Sequence, residues 1–109
     1  MTPAAVKHLG LVARRDGMSR EAFVAHWMGV HAPLVARLPG LLRYAVNLVD
    51  PERSGDFGFD GVAELWFASW ADLDRAFASP EAAALAADGP SFVGRRLSVR
   101  CEEHRVLWP

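Results

Sequence analysis

The sequence has one cysteine and no concentration of basic charge, and each shortage excludes a class of protein. Cys101 is alone, which rules out an internal disulfide and a cysteine-rich zinc site, and we expect it to act as a small buried hydrophobe. The 12 basic and 13 acidic side chains are scattered and give a formal net charge of −1, so nucleic acid is not expected as a partner. No leader-like segment and no run of roughly 20 apolar residues is visible. We therefore expect no membrane association and a cytoplasmic location.

The composition is that of a folded domain with many wide aromatic rings. Hydrophobic residues make up 51% and charged residues 23% of the 109 residues, which predicts one globular domain over residues 1–109. Four tryptophans and six phenylalanines are plentiful for this length. Such rings fill a core, and they also line pockets for flat organic ligands.

Strand-like and helix-like segments follow one another in a simple order. Short apolar runs bounded by turn signals predict strands, and apolar stripes after serine caps predict helices. The segments in order are a strand over 6–14, a helix from Ser19, strands over 41–49 and 61–68, a helix from Ser69 that restarts at Pro80 and ends near 87, and a strand over 96–107. This β-α-β-β-α-β order predicts an α+β, ferredoxin-like protomer with a four-stranded antiparallel sheet and both helices on one face.

The first helix combines one apolar stripe with a break. Pro33 cannot donate a backbone hydrogen bond and disfavours helix in the residue before it, so we expect a kink or restart there and a second helical piece ending near Leu38. After the second strand, the polar and glycine-rich segment 50–60 predicts a flexible hairpin loop. The stripe, at regular helical spacing, consists of Phe23, Trp27, Val30 and Leu34.

The predicted sheet has apolar residues on both of its faces. Helices cover one face, and the other needs a second cover. We therefore expect a homodimer that forms through the sheet faces, with room for a cavity. The apolar residues that together occupy both odd and even strand positions are Leu9, Leu11, Leu42, Val46, Leu65, Phe67, Leu97 and Val99.

Two histidines lie in and beside the first helix. His26 and His31 are five residues apart, about 140° around a regular helix, so they do not share a face as a metal-binding pair would. No metal site is expected. His31 stands beside the apolar stripe at the break. It either satisfies carbonyls freed by that break or serves as a general acid or base. His8 and His104, in the first and last strands, are compatible with simple surface positions.

Further polar candidates lie on the second and third strands. Tyr44, the only tyrosine, is either a strand aromatic at the sheet edge or a hydroxyl that orients a carbonyl oxygen. Asn47 has the opposite strand parity, so the two share a pocket only across a bulge or between subunits. Glu64 shares a face with Trp66 and is either a proton acceptor or the ion-pair partner of an arginine such as Arg43.

A set of short segments carries a family resemblance. They are 18–23, 26–27, 31–34 and 39–41 with Tyr44, and, more weakly, 60–61, 64–67 and 79–81. With this spacing the chain resembles the EthD family. The resemblance implies a dimeric α+β barrel of ferredoxin-like protomers. It does not imply one activity, since related proteins include a methylmuconolactone isomerase, partners of oxidative degradation pathways and polyketide-modifying lyases. In the isomerase, a histidine and a tyrosine that match His31 and Tyr44 by spacing serve the lactone chemistry.

These observations support three hypotheses about function. The first is a cofactor-free isomerase or lyase that acts on a small hydrophobic or cyclic metabolite by proton transfer next to a carbonyl. Its catalytic residues would be His31, which moves the proton, and Tyr44, which holds the oxyanion. The second is a non-catalytic protein that binds such a metabolite for a partner enzyme. The third is a cofactor-independent or haem-degrading monooxygenase. The predicted substrate-binding residues are Trp27, Asn47, Glu64, Trp66 and Phe67.

Overall fold

The structure, a computed structural model, describes residues 3–109 and has one four-stranded antiparallel sheet with the strand order β2-β3-β1-β4. This arrangement confirms the predicted ferredoxin-like protomer. Because β1 pairs with both β3 and β4, the edge strands are β2 and β4. The strands are β1 (Ala5–Arg14), β2 (Arg43–Leu48), β3 (Gly61–Phe67) and β4 (Val93–Glu103). The α-helices are α1 (Arg20–His26), α2 (Ala32–Val35), α3 (Pro51–Ser54), α4 (Trp70–Phe77) and α5 (Pro80–Asp88), and a 3₁₀ turn follows over Gly89–Ser91.

Helix α1 passes into α2 without a break, through one wide turn. Ser19 caps α1 by accepting a hydrogen bond from the Ala22 N–H. Residues Trp27–His31 then form a π-helical turn, closed by a hydrogen bond from the Ala32 N–H to the Trp27 carbonyl. The expected second helical piece with Pro33 near its start is confirmed as α2, although the chain reaches it through the π turn and α2 ends at Val35 rather than near Leu38. Pro33 lies in the first turn of α2, and because it has no N–H to donate, the hydrogen-bond ladder shifts to the wider i→i+5 spacing just before it.

The wide turn also changes which side chains the helix buries. Val30 is 47% exposed and Leu34 is only half-buried, whereas Val35 and Leu38 are buried. The predicted stripe is correct at its first two positions and wrong after them. An additional residue in one turn rotates everything that follows by about one position, so the buried face passes through Val35 and Leu38 instead of Val30 and Leu34.

Two other segments differ from their predicted form. Residues 50–60 are not a plain loop, because Asp50 caps the short helix α3 by accepting hydrogen bonds from the N–H groups of Glu52 and Arg53. Strand β4 begins at Val93 rather than residue 96 and leaves the sheet after Glu103 rather than residue 107. Its early start depends on Gly94, since a Cβ there would lie 3.1 Å from the Arg14 carbonyl oxygen at an irregularity of the ladder.

The core lies between the helices and one face of the sheet, in two adjoining groups. Because side chains alternate along a strand, the helix side of the sheet takes the even-numbered residues of β1 and β2 and the odd-numbered residues of β3. One buried group consists of Phe23, Trp27 and Phe92. The other consists of Val6, Val35, Leu38, Leu65, Phe67, Leu73 and Ala76. Truncating a buried aromatic such as Trp27 to alanine costs about 3–5 kcal/mol, so the first group stabilises the helix-to-sheet packing strongly.

The opposite face of the sheet, called the outer face below, is apolar where β1 and β4 lie side by side and is not covered by the helices. Leu9 and Leu11 of β1 lie beside Val99 and Leu97 of β4, and the last two are 48% and 59% exposed. The predicted apolar character of both faces is correct, although Leu42 lies before β2 rather than in it. Separately, no helix within residues 3–109 is long and apolar enough to span a membrane.

Gly61 is required for the packing of Trp27 on the sheet. A Cβ on Gly61 would overlap the six-membered ring of Trp27, which is 2% exposed. We expect Gly61→Ala to lower the free energy of unfolding by about 1–3 kcal/mol in urea denaturation, because the indole must move out of a close-packed site. Gly29→Ala is the matched control, since a Cβ there meets no atom within 4 Å. Equal stability of the two variants would contradict this packing.

Candidate functional site

A cavity of about 130 Å³ lies between the helices and the covered face of the sheet. Two small residues make room for this cavity. Gly10 of β1 and Ala63 of β3 lie side by side in the sheet, so no large side chain rises from the middle of the covered face. The walls are apolar and include Trp27 of the π turn, Leu85 of α5 and Phe92, the residue before β4. Polar side chains reach this space at only a few points. Such a setting is typical of small-molecule sites.

The π turn brings His26 and His31 to a single carboxylate. His26 Nε2 lies 3.0 Å from both oxygens of Asp88, and His31 Nδ1 lies 2.9 Å from Asp88 Oδ2. The expectation that these two histidines do not share a face is wrong, because it assumed a regular α-helix. In a turn closed by i→i+5 hydrogen bonds, residues five apart lie above one another. The ring of Phe92 packs against both imidazoles, with centroid distances of 4.8 Å.

The hydrogen bond to Asp88 fixes which nitrogen of His31 is available. An ionised carboxylate only accepts hydrogen bonds, so His31 donates its Nδ1–H and its Nε2 carries the lone pair. No described residue makes a hydrogen bond to that Nε2, and His31 lines the cavity. A neutral imidazole with a bare Nε2 is a proton acceptor.

The surroundings keep His31 neutral and Asp88 ionised near pH 7. Burial is the main cause that holds the pKa of His31 below its usual 6.5; Asp88 opposes this shift, while charge on His26 and Arg96 reinforces it. Burial opposes ionisation of Asp88, but the hydrogen bonds from His26 and His31 outweigh it, so the pKa of Asp88 lies below its usual value.

Tyr44 presents a hydroxyl group to the same cavity. The Trp27 indole Nε1–H donates a hydrogen bond of 3.1 Å to the Tyr44 oxygen, which leaves the phenolic hydrogen free to be donated to a ligand. Burial raises the pKa of Tyr44 above 10, although the Trp27 hydrogen bond partly offsets this effect. The hydroxyl therefore stays protonated throughout the neutral range.

His8 and Arg96 also line the cavity, although the sequence gave no strong reason to choose them. Burial, reinforced by the positive charges of Arg100 and Arg96, lowers the pKa of His8 to about 4. His8 is therefore neutral at pH 7, and its ring packs on Phe77 with a centroid distance of 4.7 Å. Its even position in β1, shared with the buried Val6, is the signal that would have placed it on the covered face.

Two familiar kinds of site are not formed by these side chains. The Ser91 hydroxyl lies 3.1 Å from His26 Nε2, but Asp88 contacts that same nitrogen, so the serine–histidine–aspartate arrangement of a hydrolase is not made. Within residues 3–109, no group of three histidine, cysteine, aspartate or glutamate side chains is arranged to hold a metal ion.

The structure divides the predicted site residues into two groups. His31, Tyr44 and Trp27 line the cavity, and the other four do not. Asn47, Glu64 and Trp66 have the opposite strand parity and lie on the outer face, and Phe67 is fully buried in the core without lining the cavity. Within one protomer these four residues therefore lie outside the cavity that His31 lines.

The outer-face residues bind one another instead. Glu64 forms an ion pair of 3.1 Å with Lys7 and accepts a hydrogen bond of 3.0 Å from Asn47. The suggested pairing with Arg43 is wrong, because that guanidinium lies over the ring of Trp66, 5.1 Å from its centroid. Cys101 also lies on this face, beside Lys7, and is half-buried rather than buried.

Sequence reasoning did not identify Asp88, the residue that organises the site. It stands in the segment Asp88-Gly89-Pro90, whose evident role is to stop α5. No local signal shows that a helix-terminal carboxylate will contact two histidines from another helix. Only the packing of α5 against α2 and the π turn supplies that information.

Comparisons with known proteins agree with this fold and family resemblance. The family model for the EthD domain matches residues 15–96. An uncharacterized 11.0 kDa protein from the thcB–thcC intergenic region of Rhodococcus erythropolis is 31% identical over 88 residues, which cover 81% of this chain and 85% of that protein.

Solved structures give the same result. The crystal structure of an ethyl tert-butyl ether D (EthD) family protein from Bacillus halodurans has a TM-score of 0.79 and 26% identity, and covers 92% of this chain and 99% of that one. A hydroxynitrile lyase from Passiflora edulis has a TM-score of 0.76 at 18% identity and covers 98% and 99%, a likeness of fold alone. Two further structures with this fold are described as dimeric.

Proposed function

The chain belongs to the EthD family, and from that premise and the cavity geometry we propose that it is a cofactor-free isomerase or lyase for a small cyclic or hydrophobic carbonyl compound. The observation that carries the proposal is the hydrogen bond between Asp88 and His31 Nδ1, at a cavity that Tyr44 also lines. This hydrogen bond holds His31 as a neutral base in the same apolar cavity as the protonated hydroxyl of Tyr44. Proton abstraction next to a carbonyl needs those two groups.

In the proposed reaction His31 acts as the base and Tyr44 as the hydrogen-bond donor. His31 Nε2 takes a proton from the carbon next to the substrate carbonyl, and the electron pair of that C–H bond forms a C=C bond while the carbonyl oxygen becomes an enolate oxygen. Tyr44 donates its hydrogen bond to this oxygen. Where the substrate has a C=C bond between its β- and γ-carbons, the enolate is conjugated, and return of the proton from His31 to the γ-carbon re-forms the C=O bond and completes an isomerisation. Where the β-carbon carries a leaving group, that group departs with its bonding electron pair as the C=O bond re-forms, which completes an elimination.

Asp88 and Trp27 position these two groups rather than reacting themselves. Asp88 holds the tautomer and orientation of His31 and stabilises the imidazolium that forms when the ring accepts a proton. Trp27 orients the Tyr44 hydroxyl through its indole N–H and covers the cavity with a ring that is 2% exposed. A low-dielectric wall strengthens the hydrogen bond to the developing oxyanion.

The lyase with this fold supports the reaction class by analogy only, because a shared fold does not fix the chemistry. The alternative function, binding without turnover, would use the same cavity. The enzyme and the binding protein differ in one measurable property, which is whether a bound carbonyl compound exchanges the protons next to its carbonyl with the solvent.

The test follows hydrogen–deuterium exchange next to the carbonyl in D₂O by NMR, with cyclohexanone, γ-butyrolactone and 4-oxocyclohexanecarboxylate as probes. We expect the protein to accelerate exchange of at least one probe. His31→Ala should reduce that acceleration by about 10²-fold or more, the contribution typical of a general base. The rate should rise with pH through the pKa of His31, below 6.5, and then stay level across the neutral range.

His104→Ala is the matched control, since His104 is exposed, pairs with Glu102 and lies outside the cavity. It should leave exchange unchanged. Binding of the probes without accelerated exchange would favour the non-catalytic function, and full exchange activity in a folded His31→Ala protein would contradict the assignment of the base.

We further propose that the protein is a homodimer joined through the outer face. The exposed side chains of Leu97 and Val99 adjoin Leu9 and Leu11, and the ion pair of Lys7 and Glu64 lies beside this apolar area, which suits a contact between two identical surfaces. The dimeric structures that share this fold support the assignment.

Leu97→Asp tests this interface. Leu97 is 59% exposed in the protomer, so the substitution should leave the fold intact while placing a charge in the apolar contact. We expect light scattering after size-exclusion chromatography to give a dimer for the wild type and a monomer for the variant. The control is Leu107→Asp, which lies beyond β4 and is 95% exposed. A wild-type monomer, or an intact Leu97→Asp dimer, would refute the interface.

A further inference from the structure

The cavity opens into a wider groove beside the edge strand β4. Five residues, His8, Phe77, Leu85, Arg96 and Ser98, line both spaces, so the two are continuous. The opposite wall of the groove belongs to α5, where Ala82 and Ala86 leave room that longer side chains would fill. A ligand in the cavity can therefore extend along β4.

The groove is positively charged in a chain whose formal net charge is −1. Of the residues that line the groove, only Arg96 and Arg100 carry a permanent charge, and no acidic side chain lines either space. Both histidines at the cavity are held neutral at pH 7, as their lowered pKa values show. The ionised Asp88 contacts the Nδ1 side of His31 and does not line the groove, so the charges along the groove are those of the two arginines, and they attract an anion.

The two arginines differ in how they are engaged. Arg100 donates a hydrogen bond to His8 Nδ1 and lies over the ring of Phe77, 5.0 Å from its centroid. The side chain of Arg96, within the described residues 3–109, has no carboxylate within 4 Å and donates no hydrogen bond. Its guanidinium lies next to Gly89, where an added Cβ would be 3.8 Å from Nη1.

We propose that Arg96 is the specificity-determining residue of the site and binds the carboxylate of an anionic substrate. Its planar fork can donate two parallel hydrogen bonds to a carboxylate, a pairing that a neutral ester cannot match. Ser98, two residues further along the same face of β4, offers a hydroxyl donor to the same group. The acid group thus lies in the groove while the apolar part of the molecule, with its carbonyl, enters the cavity beside His31 and Tyr44.

This inference rests on the proposed function for the identity of the carbonyl centre, but binding tests it separately. Calorimetric titration compares 4-oxocyclohexanecarboxylate with its methyl ester, which differ in charge and share the ring ketone. We expect the acid to bind the wild type about tenfold more tightly than the ester, the preference expected of a charge-assisted hydrogen bond. Arg96→Gln should abolish that preference, and Arg37→Gln, which removes an arginine outside both spaces, should keep it.

A second readout distinguishes recognition from a change in folding. Because the charge of Arg96 lowers the pKa of both His8 and His31, Arg96→Gln should raise the pKa of each histidine in an NMR titration while the protein remains folded. Added acid should raise the pKa of His31 in the wild type, since the bound carboxylate offsets the same charge.

Each outcome decides a different claim. Equal binding of acid and ester, no binding of the acid at millimolar concentration, or an unchanged preference in Arg96→Gln would overturn the role of Arg96. Selective, Arg96-dependent binding of the acid with no accelerated proton exchange would instead refute the proposed enzyme activity and leave the role of Arg96 standing.

Discussion

The carboxylate of Asp88, shared by His26 and His31, is the interaction on which the candidate site depends. It connects the end of α5 to the π turn after α1 and determines which nitrogen of His31 is available to a ligand. Without its two N–H donors, burial of this carboxylate would cost folding free energy. The π turn brings both donors to it, and the carboxylate in turn stabilises the π turn. The π turn is the local irregularity that makes the contact possible.

The sheet separates two tasks between its faces. Residues of one parity line the cavity under the helices, and residues of the other parity form the outer face proposed to contact a second copy. Trp66 and Glu103 illustrate the second environment, where the indole N–H donates a hydrogen bond of 2.9 Å to a buried carboxylate. Such paired polar groups beside an apolar area favour a defined contact over indiscriminate association.

Much of the fold could be predicted from local signals, and most of the site could not. Alternating strands and the serine caps at Ser19, Ser69 and Ser79 indicated the element order because those signals act over a few residues. The π turn escaped prediction because the analysis of periodicity assumes a regular helix. Strand parity correctly separated Tyr44 from Asn47, but it could not show which face carries the cavity, since both faces are apolar.

The central claim is that Asp88 holds His31 as a neutral base with a free Nε2. Nitrogen-15 NMR of the imidazole rings measures the tautomer and charge of each histidine directly. At pH 7 the account predicts that His31 is neutral, with its hydrogen on Nδ1, an unprotonated Nε2 and a pKa below 6.5. A hydrogen on Nε2 in the neutral ring, or a pKa above 6.5, would contradict it.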